Sequence, residues 1–298
     1  MNFDCILTKA FQPVTLHDIS LIKKYLDKTT YEESNHNIIT MFTWMDMYPL
    51  YKYVDDNYML IASVHNGEAF IYMPLCAKKY FIEATNKAHE LFNECEIPFS
   101  ISCVIKEYKD LLLIANDKYR VEDIRDGYDY VYKLENFKGF KGKKMQKKRN
   151  HLNNFLKLYA DRYAYEDLNA ENREEVKEYI LSLEAKSDTL IVERAGILQV
   201  LDAYEVLDYK AGIIKIDGKI EGFILASPLS DRMIQENVEK ANHEIIGLSQ
   251  ALLSEFFKRN FSDYIYLNRE DDMGIEKLRE SKLSYHPEYL IEKYSLSI

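Results

Sequence analysis

Two stretches of this chain run through the same order of elements, and that repetition limits the possible folds more than any single motif does. In the first, His17 to Lys28 and Ile38 to Tyr48 carry apolar residues at helical spacing. Three strand-like runs follow, Tyr51–Tyr53, Tyr58–Val64 and Phe70–Pro74, with turns at Asp55-Asp56 and Asn66-Gly67. Asn-Gly is a strong hairpin signal, because both residues tolerate the left-handed backbone of a tight turn. Lys79 to Cys95 is again helical in period, Phe99–Val104 reads as a strand and Glu107–Ala115 as a short helix. Tyr119–Arg125 and Tyr128–Leu134 are expected to close the half as a pair turning at Asp126-Gly127.

The second stretch repeats the plan. HLNNFLKLYA places Leu152, Phe155, Leu156 and Tyr159 at helical spacing, and Arg162–Asp167 reads as a strand. Helices are expected over Asn169–Ala185, where acids fill the first turn as the helix dipole favours, and over Leu190–Val206. Ala211–Ile216 and Lys219–Ser227 form a hairpin through Asp217-Gly218. Met233–Lys240 is a strand, Ile246–Arg259 a helix, Tyr264–Asn268 a strand and Gly274–Glu280 a short helix. Ser284–Tyr285 and Leu290–Leu296 close the chain.

In each half a long helix followed by a strand is a crossover, so each is a mixed sheet with helices against it. The fold class is therefore α+β (mixed α/β): two tandem domains, residues 1–136 and 137–298, with a cleft between them. A length of 298 residues suits two such domains.

Composition removes several alternatives. Apolar residues make up 47% and charged residues 30%, as in ordinary soluble proteins. The apolar runs, such as YMLIASV, are too short to cross a bilayer, and MNFDCILTKAF lacks the basic start and long apolar core of a signal peptide. A cytoplasmic location is expected. Cys5, Cys76, Cys95 and Cys103 show no CxxC spacing and no nearby histidine at a zinc-like interval, which predicts reduced, buried thiols and no metal site. The 24 tyrosines, among them the alternating Tyr128, Tyr130 and Tyr132, suit sheet packing.

Residues 137–151, FKGFKGKKMQKKRNH, hold seven basic side chains and no acid: Lys138, Lys141, Lys143, Lys144, Lys147, Lys148 and Arg149. The formal charge of −10 falls to −17 once these seven are set aside. Such a block costs self-repulsion unless something anionic answers it. On a helix Lys144, Lys147, Lys148 and His151 share a face and can track a phosphate backbone, with Phe137 and Phe140 stacking on bases. Anionic headgroups or a diphosphate would meet the same charges. So would the chain's own acids, at Glu166, Asp167 or residues 171–175.

The element order resembles the GNAT (acyl-CoA N-acyltransferase-like) fold, present twice. Three segments sharpen the resemblance: KKMQKKRNHLNNF at 143–155, VEKANHEIIGLSQALLSEF at 238–256, and YLNREDDMGIEKLRESKLSYHP at 266–287. They make the chain similar to bacterial proteins related to the C-terminal domain of phosphatidylglycerol lysyltransferase, a tandem GNAT-like family akin to the peptidoglycan-bridge aminoacyltransferases. The resemblance implies transfer of an aminoacyl group from aminoacyl-tRNA to an amine, a hydroxyl or a lipid headgroup. An acyl-CoA is the less favoured donor, and no cofactor is firmly implied. In the GNAT pattern the CoA loop runs Arg or Gln, two residues, Gly, one residue, then Gly or Ala. Glu244, Gly247 and Ser249 stand at those places, and only the glycine agrees; Glu244 would repel a diphosphate.

Within this frame, Asn268, Arg269, Glu270, Asp271 and Asp272 follow a strand, where α/β sites tend to form. Arg269 offers an anion contact, and Glu270, Asp271 or Asp272 could accept the acceptor's proton. Capping explains one of the acids equally well, with Asp272 before Gly274. Arg279 and Lys282, one turn apart, could hold a phosphate or carboxylate, and Tyr285 could protonate a leaving group. Lys144, Lys147, Lys148 and Arg149 would bind donor phosphates. Glu239, Lys240 and Asn242 are lesser cleft candidates, since the first two could simply pair with each other. No Ser–His–acid or Cys–His spacing is present, so direct attack without a covalent enzyme intermediate is expected. A non-catalytic binding protein for RNA or anionic ligands remains the alternative from another class.

Overall fold

The computed structural model of the protein describes residues 7–298; Cys5 lies outside them. The chain forms two compact units. One contains the chain up to Tyr128 together with Ile291–Ile298, and the other contains Asp129–Leu290.

In the N-terminal unit, strands β1 (Gln12–Pro13), β2 (Leu50–Val54), β3 (Tyr58–His65), β4 (Glu68–Ile71), β6 (Ser100–Ile105) and β7 (Arg120–Asp123) form one sheet, with β5 (Leu75–Cys76) pairing β3 at the side. Helices α1 (Ile19–Leu26), α2 (Ile38–Thr43), α3 (Phe81–Glu94) and α4 (Lys106–Ala115) accompany it. The Asn66-Gly67 turn forms as expected, both residues left-handed at φ 51° and 79°. Strand β4 runs parallel to β6 after the crossover through α3. Phe81, Ala84, Ala88 and Phe92 of α3 bury against the sheet, which is why a helix of that period belongs there.

The remaining strand of this sheet is β15 (Lys293–Ser297), the last of the chain, which lies between β6 and β7. At its head Lys293 is fully buried. Its ammonium donates to Ser34 Oγ at 2.9 Å and Asn35 Oδ1 at 2.6 Å, and stands 3.7 Å from Glu33. Glu33 also binds the His36 ring, whose Nε2 lies 2.9 Å from the Met73 carbonyl. Cys76 and Cys95 are buried and Cys103 is half-buried. Burial pushes the Cys76 thiol up to about 12, so it is inert at neutral pH.

The C-terminal unit contains β8 (Asp129–Lys133), α5 (Gln146–Tyr159), β9 (Tyr163–Asp167), α6 (Arg173–Ser182), α7 (Asp188–Asp202), β10 (Lys210–Ile216), β11 (Lys219–Pro228), β12 (Met233–Ala241), α8 (Leu248–Arg259), β13 (Tyr266–Asn268), α9 (Glu276–Leu283) and β14 (Tyr289–Ile291). The sheet order is β14-β8-β13-β12-β11-β10-β9. Strands β12 and β13 are parallel, joined by the crossover helix α8, whose Leu248, Leu252, Phe256 and Phe257 fill the core. The β10–β11 hairpin turns at Asp217 (φ 49°) and Gly218 (φ 80°), as its Asp-Gly pair predicts.

Three expectations change here. The division after residue 136 moves to 128, and the last eight residues belong to the first unit. The expected Asp126-Gly127 hairpin does not form, because β7 pairs with β15 whereas β8 pairs with β13. Likewise Ser284 and Tyr285 lie in the turn after α9 rather than in a strand. In each sheet the strand beside the parallel pair thus comes from the other end of the plan: β15 beside β6, and β8 beside β13.

Candidate functional site

Strand β12 has nine residues but pairs with β13 through only three of them, from Met233–Tyr266 to Gln235–Asn268. Beyond Gln235 it continues against β11 alone, so the parallel pair splays open. A bulge sits at the mouth: Ala226 faces Glu236 and Leu225 faces Val238, leaving Asn237 as the extra residue. In a regular strand, residues three apart point to opposite faces. The extra residue cancels that alternation, and Glu236 and Glu239 converge on one guanidinium. Arg269, the first residue past β13, donates through Nη2 to Glu236 Oε1 at 2.8 Å and to Glu239 Oε2 at 2.5 Å.

The guanidinium is walled by rings, 4.9 Å from the Tyr285 centroid and 5.4 Å from Phe137, which stack on one another. Lys148 of α5 brings a second cation to the same tyrosine, its ammonium 3.7 Å from the ring centre. The Tyr285 hydroxyl accepts from Gln250 of α8 at 2.7 Å. Burial drives the ionisation of this group. It pushes Glu236 up to about 7 against the pull of Arg269, drops Lys148 to about 8 with Arg269 adding to the drop, and lifts Tyr285 to about 12. Arg269 Nε and Glu236 Oε2 are buried and take no hydrogen bond among the described residues. Two carboxylates on one guanidinium leave a net negative charge, so the trio can take up a proton.

The 268–272 run has other partners than its sequence suggests. Arg269 is no anion contact, because its charge is answered by Glu236 and Glu239. Asn268 donates to Asp129 at 2.9 Å and accepts from the Glu270 amide at 2.8 Å. Glu270 is half-buried and held by Gln235 Nε2 at 2.6 Å, and desolvation raises its carboxyl to about 8. The Asp271 carboxylate accepts from the Met273 amide at 3.0 Å. Asp272 receives a two-pronged bond from Arg279 (2.8 Å each), the Tyr130 hydroxyl (2.6 Å) and the Gly274 amide (3.0 Å). Burial alone would raise Asp272, but these donors outweigh it and hold it down at about 2, which makes it a poor base. Arg279 is therefore committed to Asp272, and the Lys282 ammonium binds the backbone carbonyls of Arg269 and Asp271. Neither is placed to hold a substrate phosphate. Tyr285, expected as a proton donor, is a buried wall of the site.

Three cavities adjoin these residues. A pocket of about 610 Å³ is lined by Glu239, Lys240, Asn242, Glu244, Glu193 and Tyr179, among others, between α6, α7 and the ends of β11 and β12. Glu239 and Lys240 do not pair with each other: Lys240 binds Glu193 at 2.6 Å, and Asn242 binds Glu221 at 2.8 Å. A second pocket, about 320 Å³, joins Lys147, Lys148 and His151 to Gly247, Ser249 and Gln250. A third, about 350 Å³, holds Lys141, Lys143, Lys144 and His286.

The basic block is thus divided. Lys144 precedes the first turn of α5 rather than sharing the helical face of Lys147 and Lys148. Arg149 Nη1 donates to the carbonyls of Phe140 (2.9 Å) and Gly142 (3.0 Å), a structural role in place of the expected phosphate contact. Phe137 and Phe140 are fully buried and cannot stack on bases. The acids that could have neutralised the block are engaged elsewhere: Glu166 and Glu175 bind Lys215, and Glu174 binds Lys177. Among the described residues Lys143, Lys144 and Lys147 form no ion pair.

Sequence reasoning missed Glu236, Gln235 and Gln250. The available signal was QENVEKA in an otherwise apolar central strand, where charged residues are out of place.

The model of the phosphatidylglycerol lysyltransferase C-terminal family matches residues 28–297. The chain belongs to that family. An uncharacterised protein of Mycoplasmoides gallisepticum is 30% identical over 204 residues, 62% of this chain and 61% of that protein, so the match spans less than two thirds of the relative's length. A solved structure of a conserved protein from Bacteroides thetaiotaomicron superposes with a TM-score of 0.89 at 27% identity, covering 97% of this chain and 99% of the other. L-PGS of Bacillus licheniformis gives 0.65 at 14% identity, covering 93% and 91%. A tandem GNAT protein from the clavulanic acid pathway gives 0.51 at 11%, covering 96% and 98%. The last two establish fold: two GNAT-like units in tandem. No helix among the described residues is long and apolar enough to cross a membrane.

Proposed function

We propose that this chain transfers an aminoacyl group from the ester of an aminoacyl-tRNA to an amine or hydroxyl acceptor, with the reaction centred on Glu239. The observation that carries this reading is the Glu236–Arg269–Glu239 trio, whose outer carboxylate lines the 610 Å³ pocket while Lys148 stands behind it on Tyr285. The acceptor nitrogen or oxygen attacks the ester carbonyl and loses its proton to the Glu239 carboxylate. The ester C–O bond breaks, and the proton passes to the departing oxygen, so the enzyme returns to its starting charge. Arg269 and Glu236 hold Glu239 in place, and Lys147 and Lys148 face the donor's phosphates. The lysines left without acids support a nucleic-acid donor, and family membership supports aminoacyl transfer. An acyl-CoA donor finds less support, because Glu244 lines the same pocket and Gly247 is used in packing.

The test is transfer from tRNA charged with labelled amino acids to a panel of amines, hydroxyl compounds and lipid headgroups. Glu239→Gln should reduce transfer by roughly 10²–10⁴-fold while tRNA binding stays unchanged. A wild-type protein that neither binds tRNA nor discharges it, yet binds acetyl-CoA saturably, overturns the reading.

A further inference from the structure

We propose that residues 141–145 and His286 form a second phosphate site, apart from the reaction centre, that grips the backbone of the RNA donor next to the Lys147–Lys148 pocket. The inference rests on the aminoacyl-tRNA reading above and adds a place on the protein that grips the donor. The pocket holds about 350 Å³, and its wall carries Lys141, Lys143, Lys144 and His286 against one acid, Glu288.

The pocket is built rather than incidental. Arg149 ties the loop down through the Phe140 and Gly142 carbonyls. Phe140 (φ 50°), Gly142 (φ 88°) and His286 (φ 55°) are all left-handed, a conformation that bulky residues adopt only when their surroundings impose it. Here Phe140 is locked in the core against Phe137 and Tyr285.

The charge is also unanswered in a protein with acids to spare. Lys138 is paired with Glu135, Lys177 with Glu174 and Asp202, and Lys240 with Glu193. Lys143 and Lys144 have no such partner among the described residues, although acids outnumber Lys and Arg by 49 to 39. Exposed and unpaired side by side, they set up a local positive field that an anionic ligand can answer. The two basic pockets flank the first turn of α5, one before it and one along it. A single headgroup would fill one of them, whereas a polyanionic strand has charges to offer both.

The experiment is a salt titration of labelled, uncharged tRNA binding to the full chain. Compared are wild type, a Lys141→Gln/Lys143→Gln/Lys144→Gln variant and the control Lys157→Gln, on the far part of α5. The triple variant should bind at least tenfold more weakly at low salt. Its plot of log affinity against log salt should be shallower by about 1–2, and the control should match wild type. A triple variant with wild-type affinity and slope overturns this site while leaving the donor reading intact. Wild type that does not bind tRNA overturns both. Binding to anionic vesicles that the triple variant loses, without tRNA binding, would identify the pocket as a headgroup site and also overturn the proposal.

Discussion

A Cβ on Gly247 would stand 2.1 Å from the carbonyl oxygen of His151. The one glycine that agrees with the CoA-loop pattern is therefore spent on the approach of α5, whose backbone rests on the start of α8. Gly247 is also left-handed at φ 86°. Gly247→Ala should cost about 2–4 kcal/mol, read from urea unfolding. Tolerance of alanine at full stability would mean that α5 does not pack here.

Arg269 holds two glutamates at once, and one of them is fully enclosed. Arg269→Ala should cost about 3–5 kcal/mol, because it strands a buried carboxylate. The check is the urea midpoint, with the Arg269→Ala/Glu236→Gln double variant recovering much of the loss. No recovery would show that the packing of the guanidinium on Tyr285 and Phe137 matters more than its charge.

Stability should depend on pH with a definite sign. Glu236 and Glu270 are raised in the folded state to about 7 and about 8, from an ordinary 4.5. Between 4.5 and those values the folded chain holds protons that the unfolded chain has released, so stability falls as pH climbs through the window. Asp272 acts oppositely: its contribution is full above its ordinary 3.8 and is lost as pH drops through about 2. Urea midpoints of the C-terminal unit should decline from pH 5 to pH 8, and Glu236→Gln should flatten the decline. A rising midpoint over that range refutes the burial of these carboxyls.

Lys293 reaches Ser34, Asn35 and Glu33 from the last strand. Burial holds the neighbouring His36 down at about 4, neutral at ordinary pH, so it cannot replace the ammonium as Glu33's countercharge. Lys293→Met should destabilise the N-terminal unit by about 3 kcal/mol. Proteolysis followed by mass spectrometry should then show cuts before residue 129 appearing first. Equal protection of both units in the variant would argue against the clasp.

The sequence discloses what is local and conceals what is paired at a distance. The Asn66-Gly67 and Asp217-Gly218 hairpins were legible because two adjacent residues specify each turn. The exchange of β8 and β15 was not, because Tyr128–Leu134 and Leu290–Leu296 have the alternation of any half-buried strand, which carries no address. The run at 268–272 stands out in the sequence, but its partners Tyr130, Arg279 and Gln235 come from distant positions that no spacing reveals. The convergence of Glu236 and Glu239 was hidden by parity: a period of two sends them to opposite faces, and only the bulge at Asn237 reunites them. The reach of Lys148 into Tyr285 depends on where α5 rests, which no spacing reveals.

Because β15 occupies an interior place in the first sheet, synthesis order and folding order run against each other. A ribosome delivers residues 129–290, everything the second unit needs, before it releases the strand that completes the first. Until then β6 and β7 lack the neighbour between them. The amino-terminal half, made first, is completed only by a strand made after the whole of the second unit.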